Sequence, residues 1–314
     1  MAVFTPVAFE EAAAFLEGYD LPALVRLEPV AEGVENTNYR AVTAAGDFVL
    51  TLVERRTDPA ALPYVTGLTA WLAARGVPVP EPVADREGRR IGTLKGRPAL
   101  VGRWLPGAWP RAPDAAQAGR AGALLARLHL AATGYPGRRE NPYGPEGWRR
   151  LARRCAEAAE GEDRRVLDRV ERALAALSPR WPRDLPSGPI HADYFPDNVL
   201  FEGAEPTGVI DFYFASDDAF AYDLAVALCA WGFDGAGTPL PPVLDAFRRG
   251  YEGVRPLGEA EARALPRLCA GAAIRFTLSR LHDRVFHDPS WAVTPKDPVA
   301  FLRRLEFYAE AAKA

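Results

Sequence analysis

Ile190-His191-Ala192-Asp193-Tyr194-Phe195-Pro196-Asp197-Asn198-Val199 sets His, Asp and Asn in the pattern H-x-D-x-x-x-x-N, and Ile210-Asp211-Phe212 adds an acid thirteen residues after Asn198. Short β-like runs surround these residues, at Gly188 to Ala192, Val199 to Glu202 and Thr207 to Phe214. They imply a loop, then a hairpin that returns a second carboxylate toward it. An Asp five residues before an Asn on one tight loop can put a carboxylate beside an attacking hydroxyl and an amide oxygen on a metal ion. Transfer of a phosphoryl group from a nucleotide to a hydroxyl needs this set of oxygen groups. His191 is expected to support the loop through a hydrogen bond rather than to carry protons. A hydrolytic metal site built on His191 and Asp193 would need further ligands, and His129, His282 and His287 follow no ligand spacing.

Working outward, the segment before this loop is helical. Ala115 to Leu130 carries Ala118, Ala121, Leu124, Leu125 and Leu128 on one face, and Leu151 to Leu177 reads as one long amphipathic helix. Helices resume from Ala219 to the C-terminus. The first hundred residues differ. After an opening helix, about Phe9 to Glu17, come β-like runs at Val25 to Val30, Tyr39 to Thr43 and Phe48 to Val53, the last two joined by the hairpin signal Ala45-Gly46-Asp47. Asp58-Pro59 opens a helix with Leu62, Val65, Leu68 and Leu72 on one face, and Gly76 and Pro78 stop it. Runs at Arg90 to Leu94 and Pro98 to Trp104 follow, and Pro106-Gly107 marks an end. The expected fold class is α+β and two-lobed: a small antiparallel-sheet lobe over residues 1–105, and a mainly helical lobe over 106–314 that holds the loop and the acceptor.

Composition narrows the partners. The 314 residues, 48% hydrophobic and 25% charged, suffice for two domains with sizeable cores. A formal net charge of −3 gives no basic field for a nucleic-acid backbone or an anionic membrane. Cys155, Cys229 and Cys269 are odd in number and form no CxxC or Cys/His spacing, so they read as buried thiols in a reducing compartment. The N-terminus lacks a basic region before its apolar residues and carries Glu10 and Glu11, unlike a signal peptide. The most apolar stretch, Ala219 to Phe233, contains Asp223 and is shorter than the roughly 20 residues of a membrane span. A cytoplasmic protein is expected, of undetermined oligomeric state.

With these residues in view, the chain resembles the aminoglycoside-phosphotransferase superfamily of small-molecule kinases, whose fold is protein-kinase-like. Glu35-Asn36-Thr37-Asn38-Tyr39, Phe48-Val49-Leu50-Thr51-Leu52, the Ile190 to Val199 loop, Ile210-Asp211-Phe212-Tyr213-Phe214, Ala221-Tyr222-Asp223-Leu224-Ala225 and Thr294-Pro295-Lys296-Asp297-Pro298 together look like the homoserine kinases of that fold. The resemblance implies ATP-dependent, Mg²⁺-dependent phosphorylation of the side-chain hydroxyl of L-homoserine, in threonine biosynthesis. It matches Asp193 to the catalytic base and Asn198 and Asp211 to the magnesium ligands, and it implies that Asp223 anchors the backbone of the loop.

The chain departs from the kinase pattern at the nucleotide phosphates. Related kinases hold the phosphates with a Lys on the third strand, paired to a Glu on the next helix. Here Thr51 stands at that place, and no acid lies between Pro59 and Arg75. Arg55, on the Thr51 face by alternation but about 13 Å along the strand, is one substitute cation, with Asn36 and Asn38 covering the phosphates. Val101 to Leu105 reads as the hinge that meets adenine, with Val101 and Arg103 in the nucleotide site.

For the acceptor, Arg263 to Arg304 holds eight basic residues against three acidic ones, which favours an acceptor bearing an anion over a polycationic sugar. Arg275, Arg280 and Lys296 are candidates for a carboxylate, and Asp217 or Asp218 for an ammonium. Choline, methylthioribose and aminoglycosides are alternative acceptors on the same scaffold. A non-catalytic nucleotide-binding relative is a second class, motivated by Thr51 and opposed by Asp193, Asn198 and Asp211.

Overall fold

Alternation builds the first sheet. In the computed structural model, which describes residues 4–30, 36–54, 57–288 and 294–311, strand β2 (Thr37–Thr43) buries Thr37, Tyr39, Ala41 and Thr43 and leaves Asn38, Arg40 and Val42 half-buried. Its neighbour β3 (Gly46–Leu52) pairs with it in register from Thr43↔Gly46 to Thr37↔Leu52. The hairpin closes at Gly46, whose φ of +115° is open to glycine. With β1 (Leu24–Pro29), β4 (Gly92–Leu94) and β5 (Arg97–Arg103) they form a five-stranded antiparallel sheet in the order β1-β2-β3-β5-β4. One face of the sheet, with Tyr39, Ala41, Phe48, Leu50, Leu52, Ala99 and Val101, packs on helix α1 (Phe9–Leu16) through Ala12 and Leu16. Helix α2 (Leu62–Ala73) follows a short turn capped by Asp58, which accepts the Ala60 N–H.

The chain divides into two compact units, Met1–Gly107 with Thr207–Tyr213, and Ala108–Pro206 with Phe214–Ala314. The second unit holds helices α3 (Ala115–Ala132), α4 (Pro145–Ala156) and α5 (Gly161–Leu177). Strand β6 (Ser187–Ile190) follows, then β7 (Val199–Glu202), which pairs with β8 (Glu205–Val209), and β9 (Ser216–Ala219), which pairs with β6. Helices α6 (Phe220–Trp231), α7 (Pro241–Glu252), α8 (Glu259–Val285) and α9 (Val299–Ala311) complete it. Every residue of α6 is buried, which explains its unbroken apolar sequence around Asp223. Helices α3 and α7 meet through glycines: a Cβ on Gly122 would lie 2.1 Å from the Phe247 carbonyl oxygen, and one on Gly250 1.9 Å from that of Gly119.

Three sequence expectations need correction. The helix read from Leu151 to Leu177 is two helices, because the chain turns after Ala156 and Gly161 takes a φ of +54°. The run from Thr207 to Phe214 stops being a strand at Val209; Asp211 adopts φ +67° and a short 3₁₀ turn follows over Phe212–Phe214. Strand β9 went unread because Ser216-Asp217-Asp218-Ala219 has no apolar alternation. The first compact unit runs to Gly107 and also takes in Thr207–Tyr213. There the Val209 N–H donates to the Pro78 carbonyl at 2.8 Å and the Thr207 hydroxyl to that of Pro106 at 2.6 Å. The three cysteines are free and buried. No helix among the described residues is long and apolar enough to cross a membrane.

Candidate active site

The catalytic loop is a backbone held from three sides. Asp223, at the start of α6, accepts the N–H of His191 at 2.8 Å on one carboxylate oxygen and that of Ala192 at 2.7 Å on the other. His129 of α3 adds a contact from its Nε2 to the Asp223 carboxylate at 3.0 Å, and its Nδ1 meets the Tyr251 hydroxyl at 2.7 Å. Burial by itself raises the Asp223 carboxyl, but the hydrogen bonds from His129 and from the His191 N–H hold it below the usual range. Ala192 carries the cost of the bend, a φ of +63° that L-residues rarely adopt. Arg275 of α8 compensates by donating to its carbonyl. His191 accepts the Asp193 N–H on Nδ1 at 3.1 Å.

Asp193 itself is partly exposed. The amide nitrogen of Asn198 donates to the Asp193 carbonyl at 2.8 Å and approaches its carboxylate at 3.2 Å, folding the Pro196–Asn198 turn back over it. With its nitrogen engaged, Asn198 has its amide oxygen left to ligate a cation. Asp211 carries its carboxylate on the Thr207–Tyr213 segment, which belongs to the first unit. An amide oxygen and a carboxylate are, each by its own chemistry, hard donors of the kind Mg²⁺ takes. Among the described residues, no group of three or more His, Cys, Asp or Glu side chains forms a metal cluster.

In the first unit, Thr51 and Asn38 are cross-strand partners on the sheet face away from α1, with the Thr51 hydroxyl donating to the Asn38 side-chain oxygen at 2.6 Å. Asn36 is buried and accepts the Glu54 N–H at 3.0 Å. Arg55 lies outside the described residues. Val101 points into the core and its carbonyl accepts the Val83 N–H, while the Arg103 N–H donates to Glu81 and its guanidinium pairs with the Glu81 carboxylate at 3.2 Å. The Val101 carbonyl and the Arg103 N–H are thus taken by the chain between α2 and β4.

Sequence reasoning missed Glu54. Its buried carboxylate accepts the Thr37 hydroxyl at 2.8 Å and pairs with Arg97 at 2.9 Å, an acid–base pair between β5 and the residue just beyond β3. Two candidates for the acceptor take different places from those expected. Arg275 is 3% exposed, with its guanidinium over the rings of Tyr143 and Phe276 at 4.7 and 4.6 Å, and serves the loop rather than a ligand. Asp217 accepts the Arg139 N–H at 2.8 Å, tying β9 to the chain before α4. Its neighbour Asp218, its carboxyl pushed up by burial, is held by Asn141. By contrast, Arg280 and Lys296 come close to the catalytic loop. Lys296 lies 3.8 Å from the Asp197 carboxylate, and the charges of Asp197 and Asp193 act on Arg280.

Residues 26–257 match the model of the phosphotransferase enzyme family, and the chain belongs to that family. It is 48% identical over 314 residues to a homoserine kinase of Acidiphilium cryptum, covering 100% of this chain and 98% of the relative. It is 46% identical over 313 residues to a homoserine kinase of Gluconacetobacter diazotrophicus, covering 99% and 98%. Among solved structures, it is similar to amicoumacin kinase hAmiN in complex with AMP-PNP, Ca²⁺ and Ami (TM-score 0.71, 15% identity, 96% and 93% of the two chains). It is also similar to a microcompartment-associated aminopropanol kinase (TM-score 0.66, 21% identity, 97% and 95%). These two likenesses establish the protein-kinase-like phosphotransferase fold. The chain is an enzyme that transfers a phosphoryl group to a hydroxyl.

Proposed function

We propose that this protein phosphorylates the side-chain hydroxyl of L-homoserine with ATP, a step of threonine biosynthesis, using Asp193 as base and Asn198 and Asp211 as ligands of Mg²⁺. The observation that carries the reading is the catalytic loop, in which Asp223, His129, Arg275 and Asn198 fix the backbone of Asp193 while its carboxylate stays partly exposed. Similarity to curated homoserine kinases over the whole chain supports the acceptor.

Asp193 orients the acceptor hydroxyl and takes its proton as the new bond from that oxygen to the γ-phosphorus forms. The bond from the γ-phosphorus to the bridging oxygen breaks in the same displacement, and ADP leaves. Bound Mg²⁺ would neutralise charge on the phosphates, held by the Asn198 amide oxygen and the Asp211 carboxylate. Thr51, at the strand position that the lysine holds in related kinases, and Asn38, its cross-strand partner, present polar groups on the face of the sheet away from α1, which supports a phosphate site without that lysine.

The test is ADP release with Mg-ATP and a panel of L-homoserine, L-serine, choline, methylthioribose and kanamycin. Turnover with homoserine alone, with kcat lowered about 10²- to 10⁴-fold in Asp193→Asn, is the expected result. Turnover confined to another acceptor overturns the substrate, and full activity in Asp193→Asn overturns the base.

A further inference from the structure

Helix α8 follows the catalytic loop residue by residue. Arg275 holds the Ala192 carbonyl, Phe276 packs its ring on Phe195 at 4.8 Å between centres, and Arg280 comes one turn later, where the loop has reached Asp197. Among the described residues, Arg280 is a cation short of partners. Its guanidinium lies 4.3 Å from the centre of the Phe301 ring, whose centre is also 4.0 Å from Arg304, and it donates one hydrogen bond, to the Asp297 carbonyl at 3.3 Å. The Asp297 carboxylate is committed elsewhere, to Arg284 at 3.3 Å and to the N–H of Val299 at 3.0 Å. Burial and the charge of Arg304 push Arg280 down to about 10, the cost of a half-buried cation without a paired anion; Asp197, Asp297 and Asp193 offset only part of it.

Lys296 enters from the chain before α9 and, among the described residues, meets only the Asp197 carboxylate, at 3.8 Å, in a pair whose side chains are 61% and 46% exposed. Such a pair contributes little and rearranges easily. Two cations and one carboxylate thus stand on one side of the loop that carries Asp193, in the charge ratio that complements a zwitterion together with a nearby anionic substrate.

We propose that Arg280, Lys296 and Asp197 form the subsite for the head group of an α-amino-acid acceptor, Arg280 and Lys296 receiving its carboxylate and Asp197 its ammonium. On binding, Lys296 passes from Asp197 to the ligand, so one weak pair becomes two. In homoserine two methylenes separate the α-carbon from the hydroxyl, roughly 4 Å, a short reach that suits a subsite four residues along the loop from the base. The assignment rests on the homoserine reading, and it moves the ammonium from Asp217, whose carboxylate holds the Arg139 N–H.

The experiment compares three acceptors in the full-length enzyme: L-homoserine, 3-aminopropan-1-ol, which lacks the carboxylate, and 4-hydroxybutanoate, which lacks the ammonium. Each is measured as a substrate or, where turnover is slow, as a competitive inhibitor. Arg280→Gln should raise KM or Ki for homoserine and 4-hydroxybutanoate by about 10- to 100-fold, with 3-aminopropan-1-ol and the KM for ATP within about twofold. Lys296→Ala, at an exposed position where folding is not at risk, should repeat the pattern at about 3- to 10-fold. Asp197→Asn should reverse it, weakening homoserine and 3-aminopropan-1-ol and sparing 4-hydroxybutanoate. Equal losses for all three acceptors, or an unchanged homoserine KM in Arg280→Gln and Lys296→Ala, overturn the subsite alone. Absence of homoserine turnover in the wild-type protein overturns the substrate reading and the subsite with it.

Discussion

At the scale of single residues, the buried pair of His129 and Asp223 makes the fold sensitive to acid. Burial drives the His129 pKa down, against the pull of the Asp223 carboxylate, so the folded protein keeps this imidazole neutral. An unfolded histidine titrates near about 6.5. Below that pH the unfolded chain therefore binds a proton that the folded chain refuses, and stability falls as pH drops. Asp223 acts with the same sign at lower pH. Its folded pKa is depressed, so its contribution is present above about pH 4 and is lost as pH falls through the folded value. His129→Gln should flatten the loss of urea-unfolding free energy between pH 7 and pH 5 by up to about 1.4 kcal/mol per pH unit; parallel curves for the two proteins would refute this. None of these partners announces itself in the sequence, since His129 and Asp223 are 94 residues apart and Arg275 and Ala192 are 83 apart. His191, Asp193 and Asn198 were legible because their spacing is local.

Between elements, the close approach of α3 and α7 depends on having no side chain at Gly122 and Gly250. A methyl on Gly250 would meet the backbone of Gly119, which cannot rotate away. Gly250→Ala should therefore destabilise by about 1–3 kcal/mol through overpacking, although alanine favours a helix by about 1 kcal/mol over glycine. A raised Tm would show that the helices separate freely. In the first sheet, Glu54 ties the start of β2 to the start of β5 through Thr37 and Arg97. Its removal leaves the Arg97 guanidinium with the Thr5 hydroxyl but no anion, and Glu54→Ala should cost about 1–3 kcal/mol in urea unfolding; a loss under about 0.5 kcal/mol would mean that water replaces the pair. The alternation of β2 and β3 revealed their hairpin and core face, but the opposite character of Asn38 and Thr51, a polar pair on the other face, acquires meaning only from their register.

For the whole molecule, nucleotide binding and stability are linked, because a ligand that binds only the folded chain raises its unfolding free energy by about 2.7 kcal/mol at a hundred times its Kd. Mg-ATP should raise Tm, and EDTA should remove the magnesium-dependent part of the increase. Asp211→Asn should lose that same part while keeping the response to ATP alone; an undiminished magnesium effect would remove Asp211 from the ligand set. Sequence by itself determined the α+β class, with an antiparallel sheet early in the chain and helices after it, and it singled out the residues proposed as base and metal ligands. Periodicity and loop spacing are local properties that a chain carries without folding. Tertiary structure alone decided that Thr207–Tyr213 joins the first unit, that Arg275 is a buried prop of the catalytic loop, and that Arg280 and Lys296 remain beside it. An arginine in a helix looks the same in sequence whether it faces solvent, a carbonyl or an aromatic ring. Only packing against distant elements distinguishes these, by fixing which of its donors are already paired.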